Sequence, residues 1–173
     1  MDAIYDRTIL DVQRVKTLRD KIISVKFENL TPSEKTEWLS GLKGSLNYSD
    51  LNRIESNLQT ISDKCGFGFT QKTDWLVGDF PTISDFQRIQ ANTKTVKDSP
   101  FSWKTTSNAP LMPLNNYGKI NDVEKILFDS YSFAIAQDAN IDYIDEIYDE
   151  QEVEYVEEYF ADSEMICDDN FII

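Results

Sequence analysis

The chain has 173 residues, 40% apolar and 28% charged, with 17 Lys+Arg against 31 Asp+Glu and no histidine. A chain of that length buries roughly 70% of its unfolded surface and forms one compact unit without covalent staples, and Cys65 and Cys167 stand too far apart for a metal or redox motif. Without an imidazole the usual serine and cysteine hydrolase relays and the common zinc sites cannot be built, and the six glycines form neither a dinucleotide fingerprint nor a phosphate loop.

In chain order, the first helix is expected after Asp6, where Ile9, Val12, Val15, Leu18 and Ile22 recur at three- and four-residue steps as one apolar stripe. Its other face carries Arg14, Lys16, Arg19, Asp20 and Lys21, an ordinary solvated surface or a contact for an acidic partner. Thr31 as N-cap, Pro32 at the first helical position and Glu34 three residues on start a short second helix. Trp38 and Leu42 share a face of it, and Gly41 and Gly44 mark its end. A third helix over 49–64 presents Leu51, Ile54, Leu58 and Ile61, a stripe suited to antiparallel packing. Cys65, where it stops, reads as an apolar filler rather than a reactive thiol.

Residues 66–73 mix glycine, aromatics and threonine as a turn or short strand. Trp75, Phe80 and Pro81 follow in an ordered loop, and their bulk requires cover by the core or, alternatively, use as a stacking platform. Thr82 and Asp85 cap a fourth helix to about Lys97, carried by Ile83, Phe86, Ile89 and Val96. Residues 98–118 hold three of the five prolines and form an extended connector anchored by Phe101, Trp103, Leu111 and Leu114. Asn121 is expected to cap a fifth helix with Val123, Ile126, Leu127 and Tyr131 facing inward. The fold class is therefore mainly α: an irregular bundle of about five helices with at most a small strand pair over 1–137, followed by an acidic C-terminal arm over 138–173.

The charge is divided sharply. Residues 1–125 hold all 17 bases and 16 acids, a net of +1, whereas 126–173 hold 15 acids and no base, a net of −15. Such a block reads first as a solvated extension. Here, however, Ile144, Tyr148, Tyr155, Tyr159, Phe160 and Phe171 interleave with acids such as Glu154, Glu157 and Glu158, and solvating tails are poor in aromatics. Those nine residues are the candidate partner-binding set. Three uses of the arm are open: docking on a basic surface of a neighbouring chain, imitation of nucleic-acid charge, or an incidental ordered extension. Over 144–161 the pattern favours a helix imperfectly and is also compatible with extended backbone.

A near-neutral body with an acidic arm offers no phosphate-tracking face, so direct DNA binding is not expected. Asp2 and Asp6 stand where a secretory signal would carry bases, and no apolar run approaches the ~20 residues of a spanning helix, so synthesis in the cytoplasm without a membrane stage is expected. A carboxylate glycosidase would need two acids facing one cleft, and no pair can be singled out among 31. The chain therefore reads as a non-enzyme with no metal or cofactor.

The segments WLSGLKGSLNYSDLNRIE (38–55) and KTDWLVGDFPT (72–82), with IYDRTILDVQRVKTLRDKI before them and TTSNAPLMPLNNYGKIND and VEKILFD after, resemble in order and spacing a small helical domain. That domain belongs to tail, baseplate and tail-fibre proteins of phages and prophages of Gram-positive, often gut-dwelling bacteria. The resemblance spans about Ile4 to Asp129. It implies a virion structural or attachment role, with other tail or baseplate proteins as partners, several symmetric copies and no catalytic residue. Its pattern positions would be Trp38, Gly41, Leu42, Gly44, Leu51, Asn52, Arg53, Trp75, Asp79, Pro81 and Asp85, read from the residues themselves as packing and capping positions. The acidic arm departs from that pattern, where short strands or receptor-binding modules often follow, and it favours an adaptor joining tail components over a receptor binder. The alternative from another class is an acidic inhibitor that imitates nucleic acid to block a host protein.

Overall fold

In a computed structural model of the protein, residues 1–138 are described, and the nine arm residues named above, Ile144 to Phe171, lie outside them. Met1–Ala134 forms one compact unit, and the chain from Ile135 onward belongs to a second. The described chain is mainly helical. It contains α1 (Ile9–Val25), a single 3-10 turn (Phe27–Asn29), α2 (Pro32–Leu39), α3 (Tyr48–Cys65), α4 (Ile83–Asp98) and α5 (117–138), with no strand among the described residues.

Four of the five helices start the same way. Thr8 with Asp11, Thr31 with Glu34, Asn47 with Asp50 and Thr82 with Asp85 each form a reciprocal capping box, the cap side chain accepting from the third backbone N–H and the acid accepting from the cap's own N–H. Each box satisfies two donors that a helix start leaves without partners. α3 stops at Gly66, whose φ of +73° is the left-handed conformation that glycine adopts at little cost. The fifth helix begins earlier than Asn121. Asn116 accepts from the Lys119 N–H at 3.0 Å and so provides the cap, which leaves Asn121 within the helix to bond elsewhere.

The core is built by α3 (Leu51, Ile54, Leu58, Ile61), α4 (Ile89, Val96) and α5 (Ile120, Val123, Ile126, Leu127), closed by Trp75 and Leu114 from the connecting segments. Each such side chain contributes about 1.5–3 kcal/mol on burial. α1 is more peripheral than its apolar stripe suggests: Leu18 is fully buried, Val12, Val15 and Ile22 are half-buried, and Ile9 is exposed.

Three expected core residues point outward: Phe80, Ile83 and Leu111 are 87, 74 and 78% exposed. Phe80 follows a turn at Leu76–Asp79, where the Asp79 carboxylate accepts from the Leu76 N–H and Gly78 has a φ of +97°; Trp75 is buried before the turn, and Phe80 and Ile83 after it face out. Around Leu111 burial alternates along the chain: Pro110 and Leu114 are buried and Met112 is partly so, while Leu111 and Pro113 face away. The remaining connector anchors have ring partners. Phe101 stands edge-on to Phe67 at 6.1 Å, and Trp103 edge-on to Phe133 at 4.5 Å.

Candidate interaction surface

A buried ionic cluster ties the N-terminal segment to α3 and α5. Arg7 Nη2 donates to Asp50 Oδ1 at 3.0 Å and to Glu124 Oε1 at 2.8 Å. Arg53 donates from Nη2 to the same two oxygens at 2.6 and 2.8 Å and from Nε to Glu124 Oε2 at 2.9 Å. The Ile4 N–H also donates to Glu124, and Asn121 holds the Arg7 backbone from both sides, donating to its carbonyl at 2.8 Å and accepting from its N–H at 3.2 Å. Arg7, Asp50 and Glu124 are all buried. Two positive and two negative groups balance, which is the condition under which charges can be taken out of water. Burial works against the Arg53 charge, but Glu124 and Asp50 outweigh it and hold the guanidinium above the ordinary arginine range.

A second buried acid sits deeper along α3. Glu55 accepts from Arg88 Nη2 of α4 at 2.5 Å and from the Lys72 N–H at 3.1 Å, and Arg88 reaches Asp85 at 2.9 Å. These clusters use the most buried carboxylates as cross-braces, so neither presents the pair of acids facing an open cleft that glycoside hydrolysis needs. Among the described residues no group of acids and cysteines is arranged to hold a metal ion.

Beside the first cluster a cleft of ≈ 910 Å³ opens between the starts of α1 and α4, the 44–46 turn and the 112–117 segment. Ile9 and Ile83, 52 and 74% exposed, form its lips, and Val12, Phe86, Met112 and Leu114 lie along its walls. Arg7 is the single charged residue in the lining, which holds no carboxylate. At Gly44, which is part of its lining, backbone meets backbone: a Cβ there would stand 2.2 Å from the Asp11 carbonyl oxygen and 2.5 Å from the Val12 N–H nitrogen. In the chain before Ile83, the side chains of Phe80, Val77 and Leu76 are exposed as well. Four large apolar side chains exposed within eight residues exceed the scattered singles of an ordinary surface.

The pattern positions all fall on structural tasks. Gly41 has a φ of +85° and Gly44 makes the close approach just described. Leu51 and Trp75 are core, while Trp38, Leu42 and Pro81 are half-buried. Asn52 clamps the Trp75 backbone, donating to its carbonyl at 2.9 Å and accepting from its N–H at 2.8 Å. Arg53 is in the buried cluster, Asp79 closes the turn and Asp85 closes a capping box. Lys72 lies 3.9 Å over the Trp75 ring, so that ring is covered and is no stacking platform.

The roles of Arg7, Asp50, Glu55, Asn121 and Glu124 were not read from the sequence, although two of them left a signal there. Glu124 lies four residues after Ile120 and three before Leu127, and Glu55 four after Leu51 and three before Leu58, so each acid occupies the inward stripe of its helix. No helix of the described residues is long and apolar enough to cross a membrane. No protein-family model, curated protein or solved structure matches the chain.

Proposed function

We propose that this chain is a structural subunit of a phage tail or baseplate, an adaptor present in several copies whose acidic, aromatic arm docks on a neighbouring subunit. One observation carries the reading: a body of net +1 over residues 1–125 is followed by 48 residues with 15 acids, no base and interleaved aromatics. Fifteen acids repel one another, and a partner surface offsets that repulsion while burying the aromatics. A tethered segment also meets its partner at high effective concentration. The described body agrees with a structural role, because its buried carboxylates are consumed in ion pairs and its motif residues hold the fold together.

The test is mass spectrometry of purified particles from a lysogen carrying the gene, where the chain should be present in stoichiometric amount. A chain lacking 138–173 should fail to incorporate. Normal incorporation of that chain refutes the docking arm, and absence of the whole chain from particles refutes the virion role. The same charge supports a second reading, an intracellular inhibitor that imitates nucleic acid, and for it the expected result is a soluble complex with one host protein and no chain in particles.

A further inference from the structure

We infer that residues 9–39, which hold α1, the 3-10 turn and α2, are a separately stabilised flap that opens from the α3–α5 core as one cooperative unit. Its pivots are the points where the chain enters at Arg7 and leaves at Leu46.

The flap has apolar residues of its own. The main buried cluster draws on α3, α4, α5, Trp75 and Leu114, and the partly buried side chains packed against it include Met1 and Leu46 but none from 9–39. Within that segment Leu18 and Leu30 are buried, Val15, Ile22, Phe27 and Trp38 are half-buried, and α2 buries no residue fully. Two buried leucines remove far less apolar surface from water than the twelve residues of the main cluster.

Its polar ties close on themselves as well. Arg14 of α1 holds Glu37 of α2 through Nε at 2.7 Å and Nη2 at 2.5 Å, and Lys21 Nζ donates to both oxygens of Glu34 at 2.7 and 2.8 Å. Lys35 donates to the Glu28 carbonyl at 2.7 Å. Among the described residues, no hydrogen bond or ion pair joins 9–39 to 45–138. Opening therefore keeps α1 on α2 and strands no polar group at the seam.

Both ends are pinned. Arg7 is bound to Asp50 and Glu124 just before α1, and Leu46 packs on the main core after α2. Lys43 bonds Asp6 at 2.7 Å, so entry and exit lie side by side, and Gly44 meets the Asp11 and Val12 backbone at the same end. Along the seam lies the ≈ 910 Å³ cleft, with Ile9 and Val12 on the flap side and Phe86, Met112, Leu114 and Ile120 on the core side. A gap there forfeits the dispersion contacts of a packed seam, and segments with few buried apolar contacts are the ones that open below the global unfolding free energy.

The experiment is native-state hydrogen exchange of the full chain, followed residue by residue by NMR in increasing low concentrations of urea. The bonded amides of α1 and α2 should converge on one opening with a shared urea slope, and be less protected than those of Ile54, Leu58 and Ile126 by roughly tenfold or more. Leu18→Ala should lower protection in α1 and α2 by the same factor and leave α3, α4 and α5 unchanged. Openings of α1 and α2 with different urea slopes, or protection equal to that of α3, overturn the flap. So does a Leu18→Ala variant that loses protection in step across all the helices or fails to fold, since Leu18 would then belong to the global core.

Discussion

Arg7 and Glu124, 117 residues apart in the chain, meet at 2.8 Å with both side chains buried. This contact joins the segment before α1 to the middle of α5, and Arg53 on α3 completes the tie. A buried pair of this kind is weak evidence for net stability, but it is costly to break from one side, because the surviving charge is left in a low-dielectric site.

Glu124→Ala should therefore destabilise the protein by about 3–5 kcal/mol, leaving two guanidinium groups short of a counter-charge. Urea denaturation measures it. Arg7→Met with Glu124→Leu together should cost less than Glu124→Ala alone, since no charge is then stranded; a double variant as unstable as the sum of its single changes refutes the stranded-charge account.

Gly44→Ala should cost about 1–3 kcal/mol or more, because the new methyl would meet α1 backbone that no rotamer change can move aside. Gly66→Ala is the contrast. Nothing lies within 4 Å of its Cβ position, and its penalty is the left-handed φ alone, about 1–2 kcal/mol. Thermal melts of the two variants should rank Gly44→Ala as the less stable, and the cleft beside α1 should change only in that variant.

Asn52→Ala should cost about 2–3 kcal/mol, since it removes both bonds to the Trp75 backbone and strands a donor and an acceptor. With Trp38 and Trp103 replaced by phenylalanine, the remaining Trp75 fluorescence should shift to the red as that residue leaves the core. Unchanged emission with lost stability would place the effect elsewhere.

Acid should loosen the α1–α2 pair. Lys21 chiefly, with the Thr31 backbone and hydroxyl, holds the Glu34 carboxyl down at about 2, below the 4.5 of the same group in an unfolded chain. A depressed carboxyl contributes stability that is fully present above 4.5 and is lost as the pH falls toward 2. Glu34→Gln should flatten the stability profile between those limits, and carboxyl NMR titration should find the Glu34 midpoint near 2 in the wild type. A midpoint near 4.5 would refute the bond to Lys21.

Local chemistry is legible in the sequence itself. Thr31-Pro32 with Glu34, Thr82 with Asp85 and the α3 stripe Leu51, Ile54, Leu58, Ile61 announce helices because caps and periodicity act within one or two turns. The missing histidine and the −14 arm over 138–173 are likewise facts of composition. What could not be read in this way depends on residues far apart in the chain. Phe80, Ile83 and Leu111 look like core by hydrophobicity, and they face out because the turn at 76–79 and the path of the 110–114 segment set their side.

Glu124 and Glu55 look like surface acids by type, and they are buried because Arg7, Arg53 and Arg88 arrive from other elements to balance them. Asn121 looks like a cap, and Asn116 takes that place while Asn121 holds the Arg7 backbone. Propensity and capping are settled by neighbours in the chain, so one sequence suffices for them. Burial of charge, and the shape of the cleft that Gly44 lines, are settled by neighbours in space, which only the folded arrangement of α1, α3, α4 and α5 supplies.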